Sequence, residues 1–229
     1  MTSCKKDEIG GTATEKLYSG EWVVAQTCKE YSDDDTAIED GRKLIVANSA
    51  ANVENEIIIQ TNISSDLDGI PLAVRGKFKL NGNPTEFKGE NAISENYVAN
   101  KIPNANTKDY FIIFNGNFYP VKAIGSPDGL GEEYDAMQLY VRFSLDKGNI
   151  IKDGAKTIGG YKQDAISVEL TFYHDEVVIE SYETDKKTWK DPNVPEYDWR
   201  VKDGSRKNSE GAEEHWTLKG YRYTGFDND

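Results

Sequence analysis

The two histidines are the side chains from which a hydrolase of the Ser-His-Asp type would have to draw its base. They are His174 and His215. Such an enzyme places one histidine beside a nucleophile, yet the sequence contains no Gly-x-Ser-x-Gly elbow. We expect the polar triplet 174–176 to form the exposed turn of a hairpin and His215 to begin a strand. A triad assembled in space stays open, but these patterns favour a protein that is not an enzyme.

Metal and phosphate sites are also not indicated. The acidic run 33–35, followed by Glu39 and Asp40, lacks the alternating spacing with which a calcium loop wraps its ion. No cluster of Cys and His has the spacing of a zinc site. The glycine-rich segment 125–131 lacks the lysine that would reach a phosphate, so it reads as a plain loop. We therefore expect no metal and no cofactor.

Cys4 is the candidate for covalent modification. The run MTSCKKDE at 1–8 places small residues before this cysteine and an apolar residue three positions back, which resembles the lipobox at which bacterial lipoprotein precursors are cut. The charges after it resemble the signal that exports lipoproteins of the Bacteroidetes to the outer face of the outer membrane. We therefore predict a tether at 1–15, an acylated Cys4 and a surface location. The alternative is that Met1 is the true start and Cys4 an ordinary exposed thiol.

The charge balance restricts the partners. With 40 acidic and 27 basic residues the formal charge is −13, and binding of nucleic acid needs a concentrated basic face. The same charge argues against lying flat on an anionic membrane. No apolar run approaches the ~20 residues of a membrane helix. The sequence therefore predicts a soluble body that reaches the membrane through its lipid anchor only.

The elements that must position these residues are strands. Short segments rich in β-branched and aromatic residues alternate with turns, and Asn115-Gly116 between two such segments is typical of a hairpin. Many antiparallel strands imply a sandwich or a closed barrel, and closure removes exposed edges. We predict an all-β fold, an antiparallel barrel of roughly 8–10 strands.

Two polar stretches depart from the strand pattern. They are 146–164 and 183–214. The second is rich in charge, proline and glycine, too polar to bury a core of its own, and we expect it to be an extended polar loop at the barrel rim. The prediction is a single β-barrel domain at 16–229.

Four segments resemble one known family. They read GGTATE at 10–15, SGEWVV at 19–24, ANSAAN at 47–52 and KGYRYTGF at 219–226. They resemble the Bacteroidetes lipoproteins named lipid-binding putative hydrolases, and this resemblance implies a calycin-like barrel. It also implies a non-catalytic accessory lipoprotein of an outer-membrane nutrient importer, formed by a TonB-dependent transporter and its surface lipoprotein lid. The alternatives are a carrier that holds a lipid or another small apolar ligand in the barrel, and a hydrolase.

The resemblance to calycins also implies a role for Gly20-x-Trp22. In the related lipocalins a tryptophan two residues after a glycine plugs the closed end of the barrel, and an arginine from the last strand packs over its ring. Trp22 and Arg222 match this pattern. We expect them to be structural residues.

Aromatic residues inside the polar stretch 183–214 require an explanation. One explanation is that they fasten the excursion to the barrel. The other is that they contact a partner or ligand, because aromatic side chains are effective anchors in interfaces and stack on sugars. The candidates for such a contact are Trp189, Tyr197, Trp199 and Arg200.

Overall fold

The computed structural model describes residues 18–31, 39–51, 53–64, 71–90, 94–95, 110–114, 117–120, 126–157, 159–208, 213–223 and 225. Cys4, the tether 1–15 and the acidic run 33–35 lie outside these residues. Within the described ranges, no helix has both the length and the apolar character that crossing a membrane requires.

Regular structure in the described chain is almost entirely β. The strands are β1 (Gly20–Cys28), β2 (Glu39–Asn48), β3 (Glu56–Ser64), β4 (Pro71–Asn83), β5 (Glu86–Gly89), β6 (Ser94–Glu95), β7 (Tyr110–Phe114), β8 (Asn117–Pro120), β9 (Glu133–Lys156), β10 (Lys162–Glu183), β11 (Tyr197–Val201) and β12 (Glu214–Arg222). The predicted hairpin is confirmed by its strands, since β7 pairs with β8 and Phe114 lies opposite Asn117.

Eight of these strands close into an antiparallel barrel. Their order is β10-β12-β1-β2-β3-β4-β5-β9, and β9 pairs with β10 to close the ring. Buried and partly exposed side chains alternate along β1, as expected for a strand with one face toward a barrel interior. The all-β class and the barrel of eight to ten strands are therefore confirmed.

The described chain divides into two compact units. Unit 1 comprises the described parts of Met1–Glu95, Phe143–Thr171 and Glu214–Asp229, and unit 2 those of Asn96–Arg142 and Phe172–Glu213. Strands β1–β5 and β12 lie wholly in unit 1, whereas β9 and β10 have residues in both units. Unit 2 also contains the β7–β8 hairpin and β11, which pairs with β10.

Strand β10 corrects the prediction of a turn at 174–176. The strand runs without interruption from Lys162 to Glu183. Its buried face changes phase between Phe172 and Asp175, from even-numbered to odd-numbered positions. The buried residues are Ile166, Val168, Leu170 and Phe172, and then Asp175, Val177, Ile179 and Ser181, with Thr171 also buried where the phase changes. The polar triplet thus coincides with a change of phase inside one strand.

Asp175 can occupy a strand interior because Arg142 neutralises it. The carboxylate is fully buried. Arg142 Nε donates to Oδ2 at 2.7 Å and Nη2 donates to Oδ1 at 2.6 Å, a bidentate arrangement that fits the planar guanidinium. The guanidinium carbon also lies 5.0 Å from the centroid of the Tyr173 ring. The expectation of an exposed turn was therefore wrong, because the sequence does not show that the cation is supplied from β9.

The two polar stretches contain more strand than the sequence predicts. In 146–164, β9 continues to Lys156 and β10 begins at Lys162, so the segment is mainly an exposed hairpin. In 183–214, the predicted loop contains a short 3-10 helix, Lys186–Thr188, and strand β11. Polar residues suit both segments because one or both faces of these strands are open to solvent.

Removing the cation from the buried pair should destabilise unit 2. The variant Arg142→Met leaves the Asp175 carboxylate buried without a partner, which lowers the free energy of unfolding by about 3–5 kcal/mol. The double variant Arg142→Met/Asp175→Leu should recover most of this loss, because no charge then remains buried. Urea unfolding followed by circular dichroism measures both effects.

The control is Lys43→Met, which breaks the exposed ion pair with Glu21 and should change the free energy of unfolding much less. If Arg142→Met were as stable as wild type, this would contradict the conclusion that Arg142 neutralises the buried Asp175 carboxylate.

Candidate functional site

The described core residues of unit 1 pack closely against one another. A side chain that lines a cavity large enough for water keeps some accessible surface, and eight large apolar residues keep none. They are Trp22, Leu44, Ile59, Ile63, Val74, Phe78, Phe143 and Leu218, each 0% exposed. The rings of Phe78 and Phe143 meet edge to face with centroids 5.1 Å apart. The sequence left open whether alternate apolar residues fill a core or line a pocket, and these residues fill a core.

The polar side chain of Gln26 inside the barrel is bound by the barrel itself. Gln26 is 0% exposed, and its Nε2 donates to the main-chain oxygen of Asn62 at 2.8 Å. Thr61 lies beside it and donates to the main-chain oxygen of Lys43 at 2.9 Å. Buried polar groups require partners, and these partners come from the strands rather than from a ligand.

Trp22 and Arg222 are in direct contact. They are opposite one another on β1 and β12, and the guanidinium carbon of Arg222 lies 4.2 Å from the centroid of the Trp22 ring. Arg222 also donates from Nη1 to the main-chain oxygen of Ser19 at 2.7 Å and lies 3.4 Å from a carboxylate oxygen of Asp164. The contact that the sequence suggests is present, and its role as a plug at a closed barrel end stays a prediction.

Gly20 makes room for this contact. Its φ of +152° lies in a range that side-chain-bearing residues rarely adopt. A Cβ at this position would lie 2.3 Å from Arg222 Nη1, closer than atoms can approach. The spacing Gly20-x-Trp22 therefore has a physical reason: glycine admits the guanidinium that covers the indole.

Loss of the indole should destabilise the barrel strongly. Trp22→Ala is expected to lower the free energy of unfolding by about 3–5 kcal/mol, because it opens a cavity in a filled interior. Arg222→Met removes the cation above the ring and should lower it by only about 0.5–2 kcal/mol. Thermal and chemical unfolding of both variants tests this order. A Trp22→Ala variant that unfolds like wild type would show that the ring does not support the barrel.

His215 and Cys28 both bind a carboxylate. The Glu30 side chain accepts from the main-chain nitrogen of His215 at 2.7 Å, and its other oxygen lies 2.7 Å from His215 Nδ1. The thiol of Cys28 donates to the same carboxylate at 3.3 Å. Burial raises the pKa of this thiol far above its usual range. Cys28 is thus a buried residue, and the thiolate that a nucleophile needs is disfavoured.

Hydrogen bonds also control the ionisation of Glu30. Partial burial pushes the pKa of this carboxyl upward, but the hydrogen bonds from His215 and Cys28 outweigh burial and hold the pKa below its usual value. Since donors stabilise the charged form of a carboxyl group, Glu30 is ionised at neutral pH. It joins the end of β1 to the start of β12.

A second carboxylate next to His215 is buried. Glu214 is 2% exposed, accepts from the Tyr31 hydroxyl, and accepts from Trp216 Nε1 at 2.8 Å. From the sequence, Glu214 is expected at the end of the polar loop 183–214, and nothing there indicates this site. No local signal could have found it, because Tyr31 and Glu214 are 183 residues apart. Both glutamates therefore hold the two strands together.

The stability that Glu30 provides should depend on pH. Because its pKa is lowered by folding, its contribution is present above the ordinary glutamate pKa of ~4.3 and is lost as the pH falls through the lowered value. Glu30→Gln should reduce the free energy of unfolding at neutral pH, and the difference from wild type should shrink in acid. Urea unfolding between about pH 7 and pH 3 measures it.

Glu54→Gln, at an exposed glutamate, is the control and should show neither effect. If the difference in the free energy of unfolding between Glu30→Gln and wild type stayed constant with pH, the ionised Glu30 carboxylate would not be the source of this stability.

Metal and phosphate chemistry finds no support in the described residues. Across the ranges that the structure covers, no three His, Cys, Asp or Glu side chains lie close enough to hold a metal ion. In the glycine-rich loop, the main-chain nitrogens of Asp128 and Gly129 donate to Glu132 Oε1 at 2.7 and 2.9 Å. These N–H groups are thus bound by the chain's own carboxylate, in agreement with a plain loop.

The aromatic residues of the polar stretch divide into buried and exposed positions. Trp199 is 7% exposed and packs in the core of unit 2 with Ala136, Val177 and Ile179. Its ring meets Tyr134 edge to face at 5.1 Å. This geometry agrees with the packing explanation rather than with a surface contact. A signal was available in the alternation of residues 197–201, which the surrounding polar residues concealed.

The other candidates keep part of their surface. Trp189 is half-buried, and its Nε1 donates to the main-chain oxygen of Thr184 at 3.1 Å. Tyr197 is half-buried at the start of β11. Arg200 is exposed and donates to Glu180 Oε1 at 2.8 Å. The structure places Tyr197 and Arg200 on β11, and their contact role stays a prediction.

Unit 2 also has a surface cleft of about 390 Å³. Its apolar lining residues are Ala136, Val177 and Val178, and its polar ones are Asp135, Glu176, Ser205 and Lys207. Main-chain bonds fix two of these residues, since Glu176 and Lys207 exchange N–H···O bonds of 3.0 and 2.8 Å. Volume and lining suit a small molecule with both apolar and charged groups.

Comparison with known families finds one matching family model. A family model described as "Lipid-binding putative hydrolase" matches residues 6–227. The chain belongs to this family. The match covers all four segments that carry the resemblance in the sequence and all twelve strands described above. No curated protein matches the chain.

Proposed function

We propose that the chain is a non-catalytic accessory protein that acts at a membrane through its outer surface. The observation that carries this proposal is the close packing of the described core residues of unit 1. A carrier of the lipocalin kind needs a cavity of several hundred Å³, whereas the eight core residues at 0% exposure leave no water-sized space among them. Lipid binding, which the family description includes, would then take place on the outer surface of the protein.

The state of the candidate catalytic residues supports a non-catalytic role. A thiol that donates to a carboxylate, with its pKa raised by burial, is not an activated nucleophile. The ring of His215 is joined to Glu30, which is itself fixed by a main-chain hydrogen bond. These contacts hold β1 and β12 together, so they give the ionisable residues near the end of β1 a structural role.

The membrane is reached, in this proposal, through an acyl group on Cys4. The run at 1–8 resembles a lipobox followed by a surface-export signal, and two or more acyl chains give stable anchoring. The proposed location is the outer face of an outer membrane, and the proposed partner is a nutrient importer made of a TonB-dependent transporter and its lipoprotein lid. Trp189, Tyr197 and Arg200 are the proposed contact residues, because each keeps exposed surface.

Purification of the native complex tests this function. The chain, tagged at its C-terminus and isolated from outer membranes in mild detergent, should bring the importer subunits with it. Palmitate labelling should depend on Cys4 and be absent from Cys4→Ser. Recovery of the chain alone, with one lipid bound per chain in native mass spectrometry, would instead establish a carrier.

Two tryptophan variants separate contact from packing. Trp189→Ala should weaken partner recovery while the melting temperature stays near that of wild type, because the ring is half-buried. Trp199→Ala is the matched comparison and should lower the free energy of unfolding by about 3–5 kcal/mol. Full partner recovery with Trp189→Ala would remove Trp189 from the proposed contact.

A further inference from the structure

The end of the β9–β10 hairpin combines a large exposed aromatic ring with basic residues. Tyr161 is 68% exposed, and it precedes β10, which begins at Lys162, while β9 ends at Lys156. The segment 150–162 contains three lysines and one acidic residue, although the whole chain carries a charge of −13. This end of the hairpin, defined as residues 156–157 and 159–162, has two lysines and no acidic residue, so it is opposite in sign to the chain as a whole.

The main chain holds the turn without help from the Tyr161 ring. The nitrogen of Thr157 donates to the oxygen of Tyr161, and that of Gly160 to the oxygen of Thr157, both at 2.9 Å. Gly160 has a φ of +83°, which suits glycine in a tight turn. The ring is thus not needed to build the turn and is left in solvent.

Two lysines face one another just below this turn. Since Thr157 pairs with Tyr161, Lys156 and Lys162 are the next neighbours across the hairpin. Like charges opposite one another destabilise an antiparallel pair. An anionic partner would offset this repulsion, and among the described residues no ion pair does so.

Some lysines of the protein are paired with carboxylates, and the two hairpin lysines are not among them. Within the described residues, neither Lys156 nor Lys162 forms an ion pair, although both are exposed. Four other lysines are each paired with a glutamate: Lys43 with Glu21, Lys77 with Glu56, Lys79 with Glu90 and Lys202 with Glu133. The hairpin end therefore presents uncompensated positive charge.

We propose that the hairpin end docks on an anionic lipid surface, with the Tyr161 ring in the headgroup region and the Lys156 and Lys162 ammonium groups on lipid phosphates. Tyrosine is suited to this boundary because its ring is apolar and its hydroxyl remains hydrated. Lysines near an anionic leaflet are attracted to it. The acidic remainder of the chain is repelled, so contact is confined to the hairpin end and the protein does not lie flat.

This inference rests on the proposed function in placing a membrane beside the protein. It adds a second membrane contact that does not require an acyl group. The family description, which includes lipid binding, agrees with a lipid as the occupant of this site.

Flotation of the unlipidated full chain with vesicles tests the proposal. The Cys4→Ser chain should bind vesicles of phosphatidylcholine with about 30% phosphatidylglycerol more tightly than pure phosphatidylcholine, and added salt should weaken binding by screening. Lys156→Gln/Lys162→Gln should lower the partition coefficient by about tenfold or more, since each lysine near the surface contributes roughly fivefold. Tyr161→Ser should lower it by roughly tenfold.

The matched control removes two exposed lysines elsewhere, Lys29→Gln/Lys88→Gln. It changes the net charge equally and should leave the partition coefficient within about twofold. Equal losses in both double variants would show a general charge effect and overturn the docking site. So would failure of the Cys4→Ser chain to bind anionic vesicles.

A local probe identifies the element that enters the lipid. An environment-sensitive fluorophore on Tyr161→Cys in the Cys4→Ser chain should shift to the blue with anionic vesicles. The same fluorophore on Tyr223→Cys, at a residue that is 41% exposed, should not shift. The reverse result would overturn the proposal. These measurements need neither an acyl group nor an importer, so failure of the proposed function would leave them unchanged.

Discussion

Closure of the sheet through the pairing of β9 with β10 is the constraint on which the rest of the structure depends. These two strands complete a ring of eight, and closure pairs both long edges of the barrel strands with each other. An eight-stranded barrel is just wide enough for side chains to fill or for one small ligand. In this protein Trp22, Phe78 and Phe143 are 0% exposed.

Because the described core residues of unit 1 are closely packed, we look for recognition sites on the outside of the protein. The features left for recognition are the cleft in unit 2, the partly exposed aromatic residues near β11 and the end of the β9–β10 hairpin. Two of these features, the hairpin end and β11, lie in segments that looked like polar interruptions in the sequence. Polar composition there reflects strands with solvent-exposed faces, which can carry contact residues without disturbing a core.

Buried charge in this protein serves to join distant strands. Asp175 is bound by Arg142, and Glu214 by Tyr31 and Trp216. A buried carboxylate is tolerated when donors satisfy it and is costly when they are removed. These two acidic residues thus have a structural role.

The sequence by itself determined the fold class, because alternation of apolar residues and turn residues such as Asn115-Gly116 are local signals. The resemblance to lipocalins also predicted that Trp22 and Arg222 belong together, and the structure supplies the reason for the glycine at position 20, which admits the guanidinium. The family followed from short segments near the two ends and from one internal segment, 47–52. These inferences need only neighbouring residues or a pattern already known.

Only the tertiary structure decided which polar residues are buried and how closely the described apolar residues of unit 1 pack. The sequence predicts a turn at 174–176, because it does not show that Arg142, 33 positions away, binds Asp175. It predicts a loop at Glu214, because it does not show that Tyr31 contacts this residue. Apolar alternation is the same for a filled barrel and a hollow one, since both need apolar side chains inside. The volume left between them depends on strand number and closure, which are properties of the whole sheet.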